Sequence, residues 1–496
     1  MNCYPKPPGG AGRNIHLILR KQVGVNLVLR PAFNGITATY YRQTTPGQFT
    51  EATVASGFDV NAIASVVTHI GGLSAGDINN DGFLDVYIGL WNGTAQLFLN
   101  QTDGTFQDIA LSAGLIVPGA GNWQPMMYDF DKDGFLDIYA TIDFTDNQFW
   151  INQQNNTFLD MAAALGVNNC NSVCMNDMGL TMSDFDNDLD IDFYITNIYK
   201  PGLDEQPSAY NVLFRNDTAG NVLAFSEIAG EYGVDNGGWG WGCTFMDLDN
   251  DGWQDLAATN GFEPAAAPTD HSTFFKNNGG DPNAFSDISN EVGFNDDQWG
   301  SALLSFDYNR DGHLDLLQVA YGHIDQGIDP NEVFIRLLKN VPVDPNTTPN
   351  NYLVIKPRMC GTNRRAIGAT VQVTAGELTM MRIISAGTSL LGQEPAEAFF
   401  GLGQNSVAQE VTIRWPGGGG MTTLNTIAAD QVLTVTKPLP EDLFVDYKID
   451  IKDFAVLSQQ WQLTGPSLSA DLNNDQIVNK DDLVLLCNRW LHTCSN

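Results

Sequence analysis

Positive charge is scarce in this chain. Its 496 residues hold 24 Lys and Arg against 58 Asp and Glu, a formal net charge of -34. A field of that sign repels phosphate backbones and anionic lipid, so neither nucleic acid nor a membrane surface is expected as a partner. Long apolar runs are missing as well. None reaches the roughly 20 residues of a membrane span, so no membrane insertion is expected. The opening Met1-Asn-Cys-Tyr-Pro-Lys-Pro-Pro has no apolar signal-peptide core, which by itself argues against secretion. Histidine is sparse: His16, His69, His271, His313, His323 and His492 form no cluster of zinc-binding spacing. There is no nucleophile elbow and no phosphate-cradling glycine loop, and the glycines of 417–420 read as a turn between strands. With none of these signatures present, the chain is read as not an enzyme.

Cysteine is limited to seven residues, an odd number. Cys170 with Cys174, or Cys487 with Cys494, are spaced for a disulfide, and free thiols fit equally well. Cys3, Cys243 and Cys360 have no evident partner. Apolar residues make up an ordinary 43 %, so the chain is globular, and its length suits two or three domains.

What is abundant is aspartate at fixed spacing. One nine-residue segment occurs five times, starting at Asp77, Asp129, Asp184, Asp247 and Asp307. Positions 1, 3, 5 and 9 carry Asp or Asn. The sets are Asp77, Asn79, Asp81, Asp85; Asp129, Asp131, Asp133, Asp137; Asp184, Asp186, Asp188, Asp192; Asp247, Asp249, Asp251, Asp255; and Asp307, Asn309, Asp311, Asp315. An apolar run follows each loop. A second run then ends in Asn, as in Leu97-Phe-Leu-Asn100, and a Phe-x-Asp or Phe-x-Glu step and a glycine come next. Each unit thus holds about four short strands, the content of one propeller blade. A similar tail at Phe49-Thr-Glu51 and Ser56-Gly57 marks a sixth unit without its loop, which points to a truncated start and would account for the missing signal peptide. The fold class is all-β: a propeller of six to seven blades over 12–348, then a small β domain over 350–437 with period-two alternation.

Calcium takes six to eight oxygens, which a short loop supplies from alternate side chains and one backbone carbonyl. The carbonyl at position 7 belongs to Phe83, Phe135, Asp190, Trp253 and His313. Position 6 is glycine in four loops, where the chain turns sharply. In the third loop it is Leu189, so that site is expected to be strained or weaker. Asp-rich turn chemistry alone would explain one such loop; five copies at blade spacing point to calcium as the cofactor.

The last 56 residues carry a different tandem. Asp442, Asp446, Asp450, Asp453 and Trp461 recur 29 residues later as Asp471, Asp475, Asn479, Asp482 and Trp490, each set followed by a helix-like pattern. Asp471, Asn473, Asp475, Asn479 and Asp482 make a good calcium loop. The first copy, with Phe444 at position 3 and Tyr447 at position 6, is the poorer one.

The acidic loops with their Phe-x-Asp and Gly steps resemble FG-GAP/VCBS repeats. Asn351-Tyr-Leu, Arg364-Arg-Ala-Ile-Gly-Ala369, Phe400-Gly-Leu-Gly403 and Ile413-Arg-Trp-Pro-Gly417 resemble an ASPIC/UnbV domain. The pair is similar to the cartilage acidic protein family, which implies a calcium-bearing propeller and a secreted or cell-surface location. The C-terminal tandem over 441–496 resembles a type I dockerin, a short α-helical calcium-binding tail whose partner would be cohesin-like. The expected function is calcium-dependent adhesion or binding of a glycan or an extracellular protein. The alternatives are a lyase-like enzyme on polysaccharide, with a base in the central funnel, and a scaffold subunit docked through the tail. Trp123, Trp239, Trp241 and Trp299 precede the loops and read either as structural blade aromatics or as sugar-stacking platforms.

Overall fold

The computed structural model describes residues 25–30, 37–45, 48–58, 69–91, 95–115, 121–169, 176–198, 210–220, 222–261, 271–279, 285–296, 298–321, 333–341, 348–491 and 494. The chain divides into two compact units, one of residues 1–356 and 366–433, the other of 357–365 and 434–496.

The first unit is nearly all β and propeller-like. Strands His69–Gly76, Asp85–Trp91, Gln96–Asn100 and Phe106–Asp108 form the first complete blade, antiparallel throughout. The second is Gly121–Tyr128, Asp137–Asp143, Gln148–Asn152 and Phe158–Asp160. One pair, Trp91 with Gly121, joins these two blades into a single eight-stranded sheet. The third and fourth blades run over 180–227 and 240–287, and the fifth has three strands within 299–338. Ahead of them Val25–Arg30, Thr37–Thr45 and Gln48–Glu51 make a further three-stranded sheet, the place of the loop-less sixth unit. The innermost strands pack in series, from His69–Gly76 through to Trp299–Phe306.

The repeated motifs do their work locally. The second strand of each blade is buried on both faces, as Asp85–Trp91 and Asp137–Asp143 show. Hence it reads as a continuous apolar run and not as an alternation. After each Phe-x-Asp or Phe-x-Glu strand comes a single helical turn such as Ala110–Ala113, closed by a glycine in the left-handed region, Gly114 at φ 85°. A side chain would be strained there. Between blades the core is aromatic: Phe130, Phe149, Phe193 and Tyr139 meet across one interface at 4.6–6.2 Å between ring centroids. Each such fully buried ring contributes roughly 1.5–3 kcal/mol.

Two smaller sheets follow. One holds Asn351–Met359 between Ala398–Gly403 and Gln431–Lys437, the other Leu378–Ile383, Thr370–Ala375, Val407–Arg414 and Met421–Ala428 in that order. The connection 384–397 leaves these sheets and runs among the innermost blade strands. Ser74 Oγ and Ala75 N donate to the Ala386 carbonyl, Gln124 Nε2 to that of Gly387. Thr244 Oγ1, Ser305 N and Ser305 Oγ donate to Glu394 Oε1 at 2.6, 3.0 and 2.9 Å. Leu390 is buried in one apolar cluster with Met178, Ile198 and Trp239, and Gly392 abuts Leu304. This segment therefore touches the innermost strands of the first blade and of the last.

The second unit carries helices Ile451–Gln459 and Lys480–Asn488, packed through Leu457, Leu486, Ile449, Ala470 and Val478. Each opens with a capping box, Asp450 with Asp453 and Asn479 with Asp482. Cys494 is bonded to Cys360, 134 residues away, and not to Cys487, which is an exposed thiol. Pairing by short spacing thus misses the bridge that the fold makes. Cys243 is a buried thiol, and Cys3, Cys170 and Cys174 lie outside the described residues.

Candidate metal centres

Each acidic loop links an innermost strand to the second strand of its blade, so position 9 is the first residue of that second strand. Its carboxylate is a staple. The backbone N–H at position 2 donates to one oxygen and the N–H of the Asn ending the third strand to the other. Asp85, Asp137, Asp192, Asp255 and Asp315 all do this, at 2.7–3.1 Å. The side chains of the recurrent Asn100, Asn152, Asn216 and Asn277 add a bond of their own, Nδ2 donating to the carbonyl at position 8 at 3.1–3.3 Å, and the structure adds Asn340 to the set of backbone donors. Position 1 accepts from the glycine N–H at position 6 at 2.8–3.0 Å in four loops. Position 5 accepts from the N–H of Phe83, Phe135, Asp190, Trp253 and His313 at 2.8–3.2 Å. Backbone donors thus fix the rim of each loop and leave the remaining carboxylate oxygens facing one another.

In three loops the outcome is a dense acid cluster. Among the described residues, Asp129 with Asp131 and Asp137, Asp184 with Asp186 and Asp192, and Asp247 with Asp249 and Asp251 each bring three carboxylate oxygens within 4.8 Å of one another, and such groups can hold a metal ion. The first and fifth loops are less acidic. There Asn79 and Asn309 donate to Asp81 and Asp311 at 3.1 and 2.8 Å. Burial pushes the Asp85 carboxyl up to about 8, against the opposing effect of the Asn100 and Ile78 amides. Burial likewise pushes Asp129 and Asp186 up to about 6, and Asp184 and Asp247 up to about 7. Asp129 Oδ1 and Asp186 Oδ1 are closed off from solvent with no donor from the protein. Buried anionic oxygens without a donor are costly, and a cation is the group that satisfies them.

The third loop shows why Leu189 stands where glycine is usual. It holds φ 73° and packs with Met381 and Ile383 of the small sheets, while Met381 N donates to Asp184 Oδ2 at 3.0 Å. In the next two loops the same sheets press on the glycine itself. A Cβ on Gly252 would lie 3.0 Å from Leu378, and one on Gly312 would lie 2.1 Å from the Tyr352 ring. Position 6 is thus a docking point as well as a turn.

Sequence reasoning missed the protein's own cations. Lys276 Nζ lies 2.6 Å from Asp249 and 3.0 Å from Asp251, and Lys339 Nζ 3.1 Å from Asp311. Arg215 pairs with Asp217 at 2.8 Å and acts on Asp186 and Asp188 through its charge. Arg382, buried between the third and fourth loops, lowers the pKa of both Asp184 and Asp247, though less than burial raises them. The available signal was one position: the residue before each blade-ending Asn is Leu99, Ile151, Arg215, Lys276 or Lys339.

In the second unit both loops share one scaffold. Asp442 accepts from Asp446 N and Tyr447 N, as Asp471 does from Asp475 N and Gln476 N. Asp453 accepts from Phe444 N and Asp450 N, as Asp482 does from Leu472 N and Asn479 N. The loops differ in occupancy by side chains. Lys452 Nζ sits 2.5 Å from Asp446 and 4.9 Å above the Phe444 ring, whereas Asn473 and Asp475 keep the second loop oxygen-rich.

The tryptophans form an arc. Trp91, Trp123, Trp241, Trp299 and Tyr321 follow one another at ring-centroid distances of 4.9, 6.0, 5.7 and 4.8 Å. Trp239 is buried against Leu390, while Trp123, Trp241 and Trp299 are half-buried. The side chains of His16, His69, His323 and His492 lie outside the described residues.

Two class patterns fall on parts of this architecture, one on the acidic blades and one on the sheets that follow them. The FG-GAP-like repeat pattern matches residues 77–140 and 184–258, and the ASPIC and UnbV pattern matches 360–441. The chain also shows weak homology to cartilage acidic protein 1. It is 27% identical over 273 residues to the Homo sapiens protein, covering 54% of this chain and 39% of that one. The Mus musculus protein is 27% identical over 283 residues, 54% of this chain and 40% of that one. The chain thus spans about two fifths of the length of these curated relatives. Among solved structures, AofleA from Arthrobotrys oligospora aligns with TM-score 0.34 and 12% identity over 64% of this chain and 79% of that one. The V. cholerae biofilm matrix protein Bap1 aligns with TM-score 0.32 and 12% identity over 72% and 59%. No helix among the described residues is long and apolar enough to cross a membrane.

Proposed function

We propose that this chain is an extracellular adhesion or binding protein whose acidic loops hold calcium. The observation that carries the reading is the pair of buried, donorless oxygens Asp129 Oδ1 and Asp186 Oδ1 inside three-carboxylate clusters. Hard oxygen donors in flexible loops suit calcium better than magnesium, which demands a rigid octahedron and keeps its water. When bound, calcium supplies the positive charge that the loop lacks; the backbone amides orient the carboxylates, and the position 9 aspartate ties three strands. Holding the metal in the folded state alone stabilises the fold, by about 2.7 kcal/mol for a site at a hundred times its dissociation constant. The Cys360–Cys494 bridge supports an oxidising compartment. The half-buried aromatic arc from Trp91 to Tyr321 is the surface we assign to a glycan or protein ligand.

Metal analysis of chelator-treated and calcium-reloaded protein, with melting curves of both, tests the calcium reading. Loading of several ions per chain with a rise of many degrees is expected. Absence of bound metal at millimolar calcium, with superimposable melting curves, would remove the reading. A glycan array with and without calcium then addresses the ligand.

A second reading is supported by the second unit: docking to a larger assembly through the dockerin-like tail. Its two helices leave Ile451, Phe454, Leu483, Cys487 and Trp490 lining an apolar groove. Phe454 and Trp490 are exposed by 37 and 41 %. Deleting 441–496 and measuring retention on the cell surface tests it.

A further inference from the structure

The acidic loops are wired to one another. The fourth residue of every loop is left-handed: Asn80, Lys132, Asn187, Asn250 and Arg310, at φ 59–61°. Each of these side chains bonds outside its own loop. Asn80 Nδ2 donates to the Gly134 carbonyl at 3.0 Å, Asn187 Nδ2 to Gly252 at 3.2 Å and Asn250 Nδ2 to Gly312 at 2.9 Å. Lys132 Nζ meets Asp190 of the third loop at 2.5 Å. Arg310, in the last loop, holds both oxygens of Glu397 at 2.6 and 3.2 Å, and Lys356 Nζ reaches the same carboxylate at 2.9 Å. A second set of bonds runs backwards. Asn152 Nδ2 donates to the Ile78 carbonyl, Asn277 Nδ2 to Phe185 and Asn340 Nδ2 to Leu248, at 2.7–2.9 Å.

The acceptors decide what this wiring does. Gly134, Gly252 and Gly312 are the position 6 turns whose N–H groups hold the first aspartate of their own loop. One glycine residue therefore serves two loops: its N–H orients a carboxylate of its own loop and its carbonyl receives the neighbour's amide. Fixing the carboxylate fixes the turn, and fixing the turn holds the neighbour's fourth residue. Asn187 Oδ1 and Asn250 Oδ1 are buried without a partner, so each amide is held through Nδ2 alone. The series ends in the small sheets, at Glu397 beside strand Ala398–Gly403.

We propose that the five loops form one cooperative cation-binding array, coupled by their fourth-position residues, and that its last link transmits occupancy to the ASPIC/UnbV sheets through Arg310 and Glu397. This rests on the calcium reading above. Linkage between sites in contact gives a steeper response than independent sites of equal affinity.

The full chain, stripped of metal, is titrated with calcium and followed by calorimetry. A Hill coefficient on the order of 2 is expected for the wild type. The double variant Asn187→Ala with Asn250→Ala is expected to bind the same number of ions with a clearly lower coefficient, because only the first three loops keep their forward links through Asn80 and Lys132. Equal coefficients in the two proteins, or a wild type already near 1, overturn the proposal. A wild type that takes up no calcium overturns the calcium reading and the array with it, a result distinct from non-cooperative uptake. Should the double variant fail to fold, Glu397→Gln tests the last link. Calcium should slow hydrogen exchange of Ala398–Gly403 in the wild type and leave it unchanged in the variant; equal slowing in both overturns the transmission.

Discussion

The first two acidic loops and the last three share one pattern but are neutralised differently. Beside the first two, the residue before the blade-ending Asn is Leu99 or Ile151, and among the described residues no Lys or Arg pairs with their aspartates. Beside the last three it is Arg215, Lys276 or Lys339, and Arg382 adds a buried charge between the third and fourth. Even Lys132, which lies within the second loop, gives its charge to Asp190 of the third. In a chain with 24 basic residues, this concentration divides the labour. The later loops are partly balanced by the protein itself; the earlier ones have no such basic partner among the described residues.

Removing Arg382 should break that difference most strongly. Its guanidinium is held by the Met381 carbonyl at 2.7 Å and lies 5.3 Å from the Phe400 ring. Arg382→Met leaves Asp184 and Asp247 buried without their positive neighbour, which should destabilise the fold. If the later loops are balanced by the protein, the loss in chelator should exceed the loss in calcium. Denaturant melts under both conditions measure it, and equal losses would show that Arg382 serves packing and not charge.

A somewhat smaller effect comes from a buried carboxyl outside every loop. Asp177 accepts from Asn169 Nδ2 at 2.8 Å and Asn147 Nδ2 at 2.6 Å, and burial pushes it up to about 7. A carboxyl raised in the folded state binds its proton more tightly there than in the unfolded chain. Its contribution is therefore complete below the ordinary carboxyl range near pH 4 and is lost as pH rises through about 7. The loss is on the order of 3–4 kcal/mol. Asp177→Asn should flatten that part of the pH–stability curve, alike in chelator and in calcium. A calcium-dependent flattening would mean that the loops are not the sole calcium-responsive carboxyls.

Much of this was legible in the sequence because it is local. Strand order within a blade, the glycine after each single-turn helix and the alternate aspartates are set by residues within a few positions of one another. What was illegible comes from afar. Nothing near Leu189 announces that it packs on Met381, nor does anything near Asp184 and Asp247 announce Arg382. Position 9 was readable as an oxygen donor, but its role as a staple depends on the end of the neighbouring strand. The Cys360–Cys494 bridge and the course of 384–397 among the innermost strands are likewise products of tertiary packing. The fourth-position residues lay in plain view as Asn, Lys, Asn, Asn and Arg, yet their common left-handed conformation, not their chemistry, is what unites them.

The smallest expected effect is the sharpest test of the comparison. Lys276 is held above its usual range by Asp249, Asp255 and Asp251, despite the opposing effect of burial. Its ammonium lies where a metal at the fourth loop would compete for Asp249 and Asp251. Both partners are partly exposed, so the pair is worth about 0.2–1 kcal/mol. Lys276→Met should therefore destabilise the metal-free protein by that much and tighten calcium binding at this loop by up to roughly fivefold. The reverse substitution, Leu99→Lys, should weaken uptake at the first loop by a similar factor. Site-resolved titration, reading the indole signal of Trp253 for the fourth loop, follows the first change. If Lys276→Met lowers stability equally with and without calcium and leaves affinity unchanged, the lysine is only a surface partner. The contrast between early and late loops would then rest on Arg215, Lys339 and Arg382.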